Sequence, residues 1–301
     1  MAIGTTTAPI AIGDSAAILA QLLNGYTVTR HPNTISIPNA SVLATLRDVT
    51  IKGTLIHKHL THIDADGSSR SFTVPSKGKG QYSIEVPDGD IHFCLGTTDD
   101  EVHVPCELQH GTDWLDTYNQ AIGSSLVVSG FFRCLFEHPG FSGGADAHIF
   151  EIHPARAVDF GWGTHAFDVD KPDDPAIHDW SDKVNTSDSR AKVAYDDSTD
   201  TLTFTHLAGQ DTNYVHVVGS VSNIQPNAGS KEPSECSFSS DAIPNPVRML
   251  CLKGTSAARQ LESFNEGDAV DMVALRNIDL SQAIKANYSI SLLGIDIQPS
   301  Q

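Results

Sequence analysis

Residues 125–136 read SLVVSGFFRCLF, a long and mostly apolar run with Gly130 near its centre. Residues 49–60, VTIKGTLIHKHL, repeat this arrangement around Gly53. Apolar, β-branched runs bounded by turn-forming residues are typical of strands. A glycine inside a strand packs no side chain and usually marks a bulge or a sharp bend. We therefore predict long strands that bend at their glycines, as strands do where a sheet curls into a barrel.

One order of elements occurs twice along the chain. Residues 40–161 contain a long strand, a hairpin, a short helix, a second long strand and a final strand. Residues 200–298 repeat this order, with a long strand at 214–224 that contains Gly219. In each half the helix follows the third strand, where it can close the open end of a barrel. Helix signals are few, and they lie at residues 14–23, 112–122 and 256–264.

The repeated order resembles the OB-fold, a small Greek-key barrel. In addition, the run GFFRCLFEHPG and the strand HIFEIHP are similar to small bacterial OB-like domains that carry a His-Gly turn and an E-[IL]-H-P strand. Glu151, His153 and Pro154 match that strand, whereas His138 is followed by Pro139. The resemblance implies an all-β protein of two tandem OB-like five-stranded Greek-key barrels with short helices, and it implies no established activity.

We predict four segments from these patterns. Residues 1–39 form a helix and an extension, and residues 40–161 form the first barrel. Residues 162–199 form an acidic linker or wrapping arm, because residues 161–200 hold ten Asp against four Lys and Arg. Acidic, proline-containing stretches of this kind are solvated and extended. Residues 200–301 form the second barrel.

The charge balance narrows the choice of partners. The chain has 19 Lys and Arg against 37 Asp and Glu, a formal net charge of -18. Affinity for phosphate comes largely from Lys and Arg, so nucleic acid is possible but disfavoured. No apolar stretch is long enough to span a bilayer, and we expect no membrane partner. Five cysteines without a CxxC pair, and no convincing signal peptide, indicate a reducing, cytoplasmic compartment.

A local basic and aromatic segment is the candidate ligand-binding site. Arg70, Lys77 and Lys79 alternate with Phe72 and Tyr82 after the first strand. In OB-folds this loop and the facing sheet bind oligonucleotides or oligosaccharides. Base stacking on an aromatic ring is worth about 1–3 kcal/mol per base. The alternative interpretation is a solvated hairpin, because acidic residues flank the segment on both sides.

Histidines supply weak candidates for metal ligands. His57 and His59 lie on one face of a strand, because side chains alternate along it. His92 and His103 form a second group, in which a hairpin turn would place Cys94 opposite His103. A metal needs three or four converging ligands, which each group could begin to supply. The competing interpretations are an exposed polar strand face for the first group and a buried cysteine beside a neutral histidine for the second.

A third group, His138, Glu151 and His153, is the preferred polar site. Glu151 and His153 share a strand face, and a Glu-x-His pair can orient an imidazole or serve as base and ligand. The alternative is a structural hydrogen-bonded network that fixes the loop between the last two strands of the barrel.

Motifs for common catalytic chemistries do not occur in the sequence, which lacks GxSxG, HExxH and a P-loop. We therefore predict a non-enzymatic binding or assembly module without cofactor, acting mainly through protein–protein contact or self-association. Single-stranded nucleic-acid or glycan binding through the first barrel is the first alternative. A hydrolase or nuclease that uses a divalent metal on the first-barrel histidines is the second.

Overall fold

A computed structural model describes most of the chain. The described residues are 26–60, 71–75, 81–85, 90–96, 103–138, 148–167, 169, 180–186, 188–208, 213–226, 233–241, 243 and 245–300. The helix predicted at residues 14–23 lies outside them. None of the helices in these ranges is long and apolar enough to cross a membrane.

Strands dominate the described residues. Before and within the first barrel they are β1 (Thr27–Arg30), β2 (Asn33–Ile37), β3 (Asp48–Leu60), β4 (Ser71–Pro75), β5 (Gln81–Glu85), β6 (Ile91–Gly96), β7 (His103–Leu108), β8 (Ser125–His138) and β9 (His148–Asp159). The later strands are β10 (Thr164–Ala166), β11 (Trp180–Ser181), β12 (Lys192–Asp196), β13 (Thr201–Thr205), β14 (Tyr214–Gln225), β15 (Ser234–Ser239), β16 (Val247–Cys251), β17 (Ala269–Ile278) and β18 (Ile290–Pro299). The described ranges also contain four short helices, α1 (Ala40–Leu43), α2 (Leu115–Ala121), α3 (Ser256–Leu261) and α4 (Leu280–Ala283), and a 3-10 turn, Thr112–Trp114, precedes α2.

The first barrel is a closed five-stranded sheet. Its first strand, β3, pairs antiparallel with β6 on one side and with β8 on the other. β7 pairs antiparallel with β6 and parallel with β9, and β9 closes the sheet against β8. Helix α2 connects the third strand to the fourth. The two-stranded β4–β5 hairpin is inserted between β3 and β6.

The second barrel repeats this topology strand for strand. β14 pairs with β15 and β17, and β15 pairs with β16. β16 runs parallel to β18, which closes the sheet against β17. Helix α3 again connects the third and fourth strands, with Thr255 as its N-cap accepting a hydrogen bond from the Ala258 amide. The prediction of an all-β chain with two tandem OB-like barrels is confirmed.

A separate four-stranded sheet joins distant parts of the chain in the order β1-β2-β13-β12. β13 alternates half-buried and buried side chains, and the buried ones are Leu202 and Phe204. This period of two places an apolar row on one face, which packs into the main core beside Ile35 and Ile37. Strand β13, which the sequence analysis grouped with the second barrel, therefore belongs to this sheet.

In its described ranges, the acidic segment between the barrels contributes strands to three sheets. β10 pairs with β9 of the first barrel, and β11 pairs in parallel with β14 of the second. β12 forms an edge of the four-stranded sheet. Buried Val184 and Asp188 anchor the turns between β11 and β12. In these ranges the segment is a packed connection rather than a bare linker.

The hairpin between β6 and β7 closes in a different register from the one predicted. Cys94 lies opposite Pro105, and His103 lies opposite Gly96. The predicted cross-strand pair of Cys94 and His103 is therefore wrong, because β6 ends at Gly96 and β7 begins at His103, which shifts the register by two residues. All five cysteines are free, and four of them are buried.

Two of the strand glycines are required by close packing. A Cβ at Gly130 would overlap the carbonyl oxygen of Pro154 and lie 2.5 Å from Cγ2 of Ile152. The β8–β9 pairing is irregular on both sides of Gly130, as the predicted bend requires. A Cβ at Gly219 would overlap the carbonyl oxygen of Ser239. These glycines let neighbouring strands approach where each sheet curves.

We expect Gly130→Ala and Gly219→Ala each to lower the free energy of unfolding by about 1–3 kcal/mol, because the added methyl must displace backbone atoms. Urea unfolding followed by far-ultraviolet circular dichroism measures this change. Gly163→Ala is the matched control, since its Cβ would be 3.6 Å from the nearest atom, a ring nitrogen of His165. Equal stabilities for all three variants would contradict the packing argument.

Candidate functional site

The two barrels pack through the outer faces of corresponding strands. In the first barrel, Phe132 and Cys134 of β8 point into the core, so Phe131 and Arg133 point outward. Phe131 inserts into an apolar cluster on the outside of the second barrel. That cluster consists of Tyr214, Leu250, Leu252, Leu275, Leu293 and Ile295.

Beside Phe131 lies a group of buried charged side chains, which we call the ionic network. It comprises Glu107 on β7, Arg133 on β8, and Glu151 and His153 on β9, and each is less than a tenth exposed. Alternation explains the placement, because the neighbours Cys106 and Ile152 point into the core. At Arg133 the second barrel contributes to this burial, because Asn213 lies against its guanidinium.

Short contacts connect the members of the ionic network. Arg133 Nη2 lies 2.6 Å from Glu151 Oε1, and His153 Nδ1 lies 3.4 Å from the same oxygen. His153 Nδ1 is also 3.0 Å from Glu107 Oε2. Two half-buried histidines extend the network at its rim, since His92 Nε2 is 3.4 Å from Glu107 Oε2 and His148 Nε2 is 3.4 Å from Glu151 Oε2.

Hydrogen bonds connect the ionic network and its neighbours to the second barrel. Arg133 Nη2 donates to Asn213 Oδ1 over 2.6 Å, just before β14 begins. The side-chain amide of Gln109 donates to the hydroxyl of Tyr214. The backbone amide of Cys134 donates to Asn277 Oδ1 over 2.8 Å. The relative position of the barrels is therefore fixed by directional polar contacts as well as by apolar packing.

The buried charges shift one another's proton affinity. Burial alone lowers the pKa of His153, but the carboxylates of Glu107 and Glu151 raise it to about 10. Burial likewise lowers the pKa of His92, and Glu107 raises it to about 9. Burial raises the pKa of each carboxyl, yet the cationic neighbours hold the pKa of Glu107 and of Glu151 well below its usual range. At neutral pH the network consists of ion pairs.

Three of these side chains could in principle hold a cation. Ligand atoms of Glu107, Glu151 and His153 all lie within 4.8 Å of one another, close enough for a shared metal. However, the guanidinium of Arg133 already contacts the Glu151 oxygen that would coordinate the metal. Its charge satisfies the carboxylate that a metal would otherwise neutralise. The contacts fit a structural ion-pair network better than a metal centre.

The same burial limits catalysis at this position. His153 is fully buried, so its imidazole could not reach a substrate in solution without separation of the barrels. The metal-dependent hydrolase or nuclease inferred from the sequence stays a prediction.

The structure brings together only part of the predicted polar site. Glu151 and His153 are in contact, whereas His138 ends β8 with its backbone opposite His148, and its side chain is outside the description. Among the predicted metal ligands, His92 contacts the ionic network through Glu107, and the side chains of the other three lie outside the described part of the structure. The backbones of His57 and His59 lie opposite Cys94 and His92, and His103 lies opposite Gly96.

The basic and aromatic segment is described only in its backbone. Phe72 lies on β4 and Tyr82 on β5, within the hairpin inserted between the first two strands of the first barrel. Arg70, Lys77 and Lys79 lie outside the described residues. The proposed ligand-binding role of these five residues stays a prediction.

Sequence reasoning missed Glu107 and Arg133. The available signal was a single charged residue inside an otherwise apolar strand, as in residues 131–136, FFRCLF, and 104–108, VPCEL. Such a residue is rarely buried unless it is paired. The pairing partner could not be named from the sequence, because it depends on which strands become neighbours.

An open polar cleft of about 320 Å³ lies on the second barrel. It is formed by the first three strands and by the connection that contains α4, where OB-folds bind ligands. Half of its lining residues carry amides or hydroxyls, namely Asn223, Gln225, Ser237, Gln282, Asn287 and Ser289. The other half are Glu235, Cys236, Pro246, Val247, Arg248 and Asp279. Arg248 donates from Nε and Nη2 to Glu235 Oε2, over 2.8 and 2.6 Å.

Comparison with known proteins finds remote likeness only. No protein-family model and no curated protein sequence matches the chain. A solved structure of the S. pombe Stn1-ten1 complex aligns with 14% identity and a TM-score of 0.25, over 31% of this chain and 62% of that chain. This chain therefore spans less than two thirds of that relative.

Two further solved structures align over more of the chain. The single-stranded DNA binding protein from Thermus aquaticus aligns with 11% identity and a TM-score of 0.24, over 85% of this chain and 93% of that chain. A murine DNA binding protein bound with double-stranded DNA aligns with 8% identity and a TM-score of 0.22, over 81% and 93%. Such low scores carry no functional argument, and the OB-like assignment rests on the strand topology.

The ionic network predicts a large difference between two arginine–glutamate pairs of equal length. Arg133→Met should lower the free energy of unfolding by about 3–5 kcal/mol, because it leaves Glu151 buried without its cation. Arg248→Met should cost only about 0–1 kcal/mol, because its pair with Glu235 is 2.6 Å long but about one-third exposed. Chemical denaturation of both variants measures the difference, and similar losses would refute the structural role of the network.

Stability should fall in alkaline solution as the histidines lose their protons. In the folded protein the pKa values of His92 and His153 lie above the ordinary 6.5. Their contribution to stability is therefore complete below about pH 6.5 and is lost as the pH rises through about 9 to 10. Glu107 and Glu151 act in the opposite direction, since their contribution is complete above about pH 4.5 and is lost as the pH falls. Denaturation midpoints between pH 6 and pH 10 measure the alkaline loss.

His153→Gln is the variant that tests the source of this alkaline loss. It removes one titrating group, so the decrease in stability between pH 6 and pH 10 should become shallower than in the unmodified protein. An unchanged slope would assign the alkaline loss to groups outside the ionic network.

Proposed function

We propose that the chain is a non-enzymatic binding module that recognises a protein partner, which includes a second copy of itself, with its two OB-like barrels acting as one body. The observation that carries the proposal is the charge balance of the open cleft on the second barrel. Among the described residues that line the cleft, the one guanidinium is that of Arg248, which is already bonded to Glu235, and Asp279 adds a second carboxylate. With no unpaired cation among these residues, the cleft is suited to a ligand whose contacting surface is polar but uncharged.

The cleft offers groups that match a peptide backbone. Asn223, Gln225 and Gln282 carry side-chain amides, each of which can donate and accept hydrogen bonds. A peptide backbone presents the same donors and acceptors along an extended strand. A nucleic-acid backbone would require unpaired cations instead, because its affinity comes from neutralised phosphates. The formal net charge of -18 opposes that ligand further.

One observation favours single-stranded nucleic acid as a second candidate. The β4–β5 hairpin is inserted between the first two strands of the first barrel, where OB-folds place a ligand-binding loop. It carries Phe72 and Tyr82, whose rings could stack on bases. This candidate concerns the first barrel alone, and it is tested separately from the cleft.

The peptide proposal can be tested with a displayed library of random peptides selected on the immobilised protein. Selected peptides should bind with affinities in the micromolar range, and Ser237→Trp, which fills the cleft, should weaken binding at least tenfold. Ser189→Trp is the matched control, because Ser189 is exposed and lies outside the cleft. Peptides that bind the Ser237→Trp variant as tightly as the unmodified protein would refute the cleft as the site.

A fluorescein-labelled oligothymidylate tests the second candidate in the same preparation. The peptide proposal expects no saturable anisotropy change at low salt. Binding that weakens steeply with added salt, and that is lost in Phe72→Ala or Tyr82→Ala, would favour the nucleic-acid function instead.

A further inference from the structure

The turn between β9 and β10 presents an exposed tryptophan. Trp162 is 58% exposed, the largest value among the large apolar side chains that the structure describes, and Ile122, in the connection between α2 and β8, is 50% exposed. Val127, close after Ile122, pairs with Asp159, which lies three residues before Trp162. Tryptophan is enriched among the residues that carry the binding energy of protein interfaces.

Trp162 is held in a defined position. The Phe160 amide donates to the carbonyl oxygen of Gly163 over 3.0 Å, which closes the turn. The Gly161 amide donates to Asp159 Oδ1 over 2.8 Å. Gly161 has φ near +85°, a conformation that glycine adopts without steric cost. The tryptophan therefore projects from an ordered turn.

One face of the Trp162 ring rests on other aromatic rings. Its centroid is 5.7 Å from that of Phe160 with an interplanar angle of 22°, and Phe160 is in turn 6.5 Å from Trp114 with an angle of 2°. Trp114 is held by Phe167 at 5.0 Å and by His165 at 4.5 Å. Since the inner face of Trp162 is covered by Phe160, its exposed area belongs to the opposite face and the edges.

Acidic side chains lie near both ends of this stack, and a cation, Lys52, is in register with Asp159 across Val127. Asp159 precedes the turn, and Asp113 and Asp116 are exposed on either side of Trp114 in the segment that packs against Phe160. The face of an indole ring is the most favourable aromatic surface for a cation. Nearby carboxylates add hydrogen-bond acceptors for a guanidinium and repel phosphate. Arginine matches both features, because its planar cation stacks on rings and binds carboxylates.

We propose that Trp162, together with Asp159, is a docking point for an arginine side chain in a basic segment of a protein partner. The inference deepens the proposed function, on which it rests, by adding a second contact on the first barrel. The cleft of the second barrel would hold the uncharged part of the partner. Recognition would combine a polar contact at one barrel with a cation–π contact at the other.

The test uses the full chain and a fluorescein-labelled peptide with four arginines separated by glycines. Trp162→Ala should weaken binding about 2- to 30-fold, the change expected for a cation–π contact. Trp162→Phe should retain part of the affinity, and a matched peptide with citrulline for arginine should lose binding. Val218→Ala is the control, because Val218 is 54% exposed but lies on the second barrel.

Three results would overturn the inference. One is equal affinity of the unmodified protein and Trp162→Ala for the arginine peptide. Another is equal binding of the citrulline peptide, which would show that no cation is recognised. The third is an oligothymidylate or a neutral oligosaccharide whose binding depends on Trp162 while that of the arginine peptide does not. If library-selected peptides still depend on Ser237, the proposed function survives and this inference alone fails.

Discussion

The contact between Arg133 and Glu151 is the constraint on which the arrangement of the barrels depends. Both residues occupy outward-facing positions of the first barrel, yet both are buried. A buried guanidinium and carboxylate are tolerated only when each is paired and hydrogen-bonded, because their desolvation is costly. The second barrel provides one of these hydrogen bonds, because Asn213 accepts from the guanidinium of Arg133. Any large rotation of one barrel against the other would break these bonds, so the two barrels are coupled into one unit.

The docking faces are chemically different although the barrels share one topology. The first barrel presents charges around Phe131, and the second presents an apolar surface with Tyr214 and several leucines. Two copies of the same face would therefore fit each other poorly. Two first-barrel faces would bring like charges together, and neither would supply the hydrogen bond that Asn213 provides to Arg133. This asymmetry favours docking within one chain, and the residues that line the cleft of the second barrel are not part of the docking cluster.

The fold was largely predictable because its signals are local. Short segments of sequence contain the mid-strand glycines, the period-two alternation and the helix positions. Together these local patterns indicated two barrels. Pairings set by distant segments were not predictable. β2 and β13 join in one sheet although Ser36 and Thr203 are 167 residues apart. For the candidate site, Glu151 and His153 follow from their strand, whereas Glu107 and Arg133 join them only through the closure of the barrel.

The sheet that joins β2 to β13 also sets an order of events during synthesis. At roughly 5–20 residues per second, β13 leaves the ribosome on the order of ten to thirty seconds after β2. During that interval the β1–β2 hairpin has an open edge and an apolar face with Ile35 and Ile37 uncovered. The first barrel can close in the meantime, so its surface is the first folded surface against which the apolar face of this hairpin can pack. A nascent chain stalled before residue 201 would be the form most prone to misassociation.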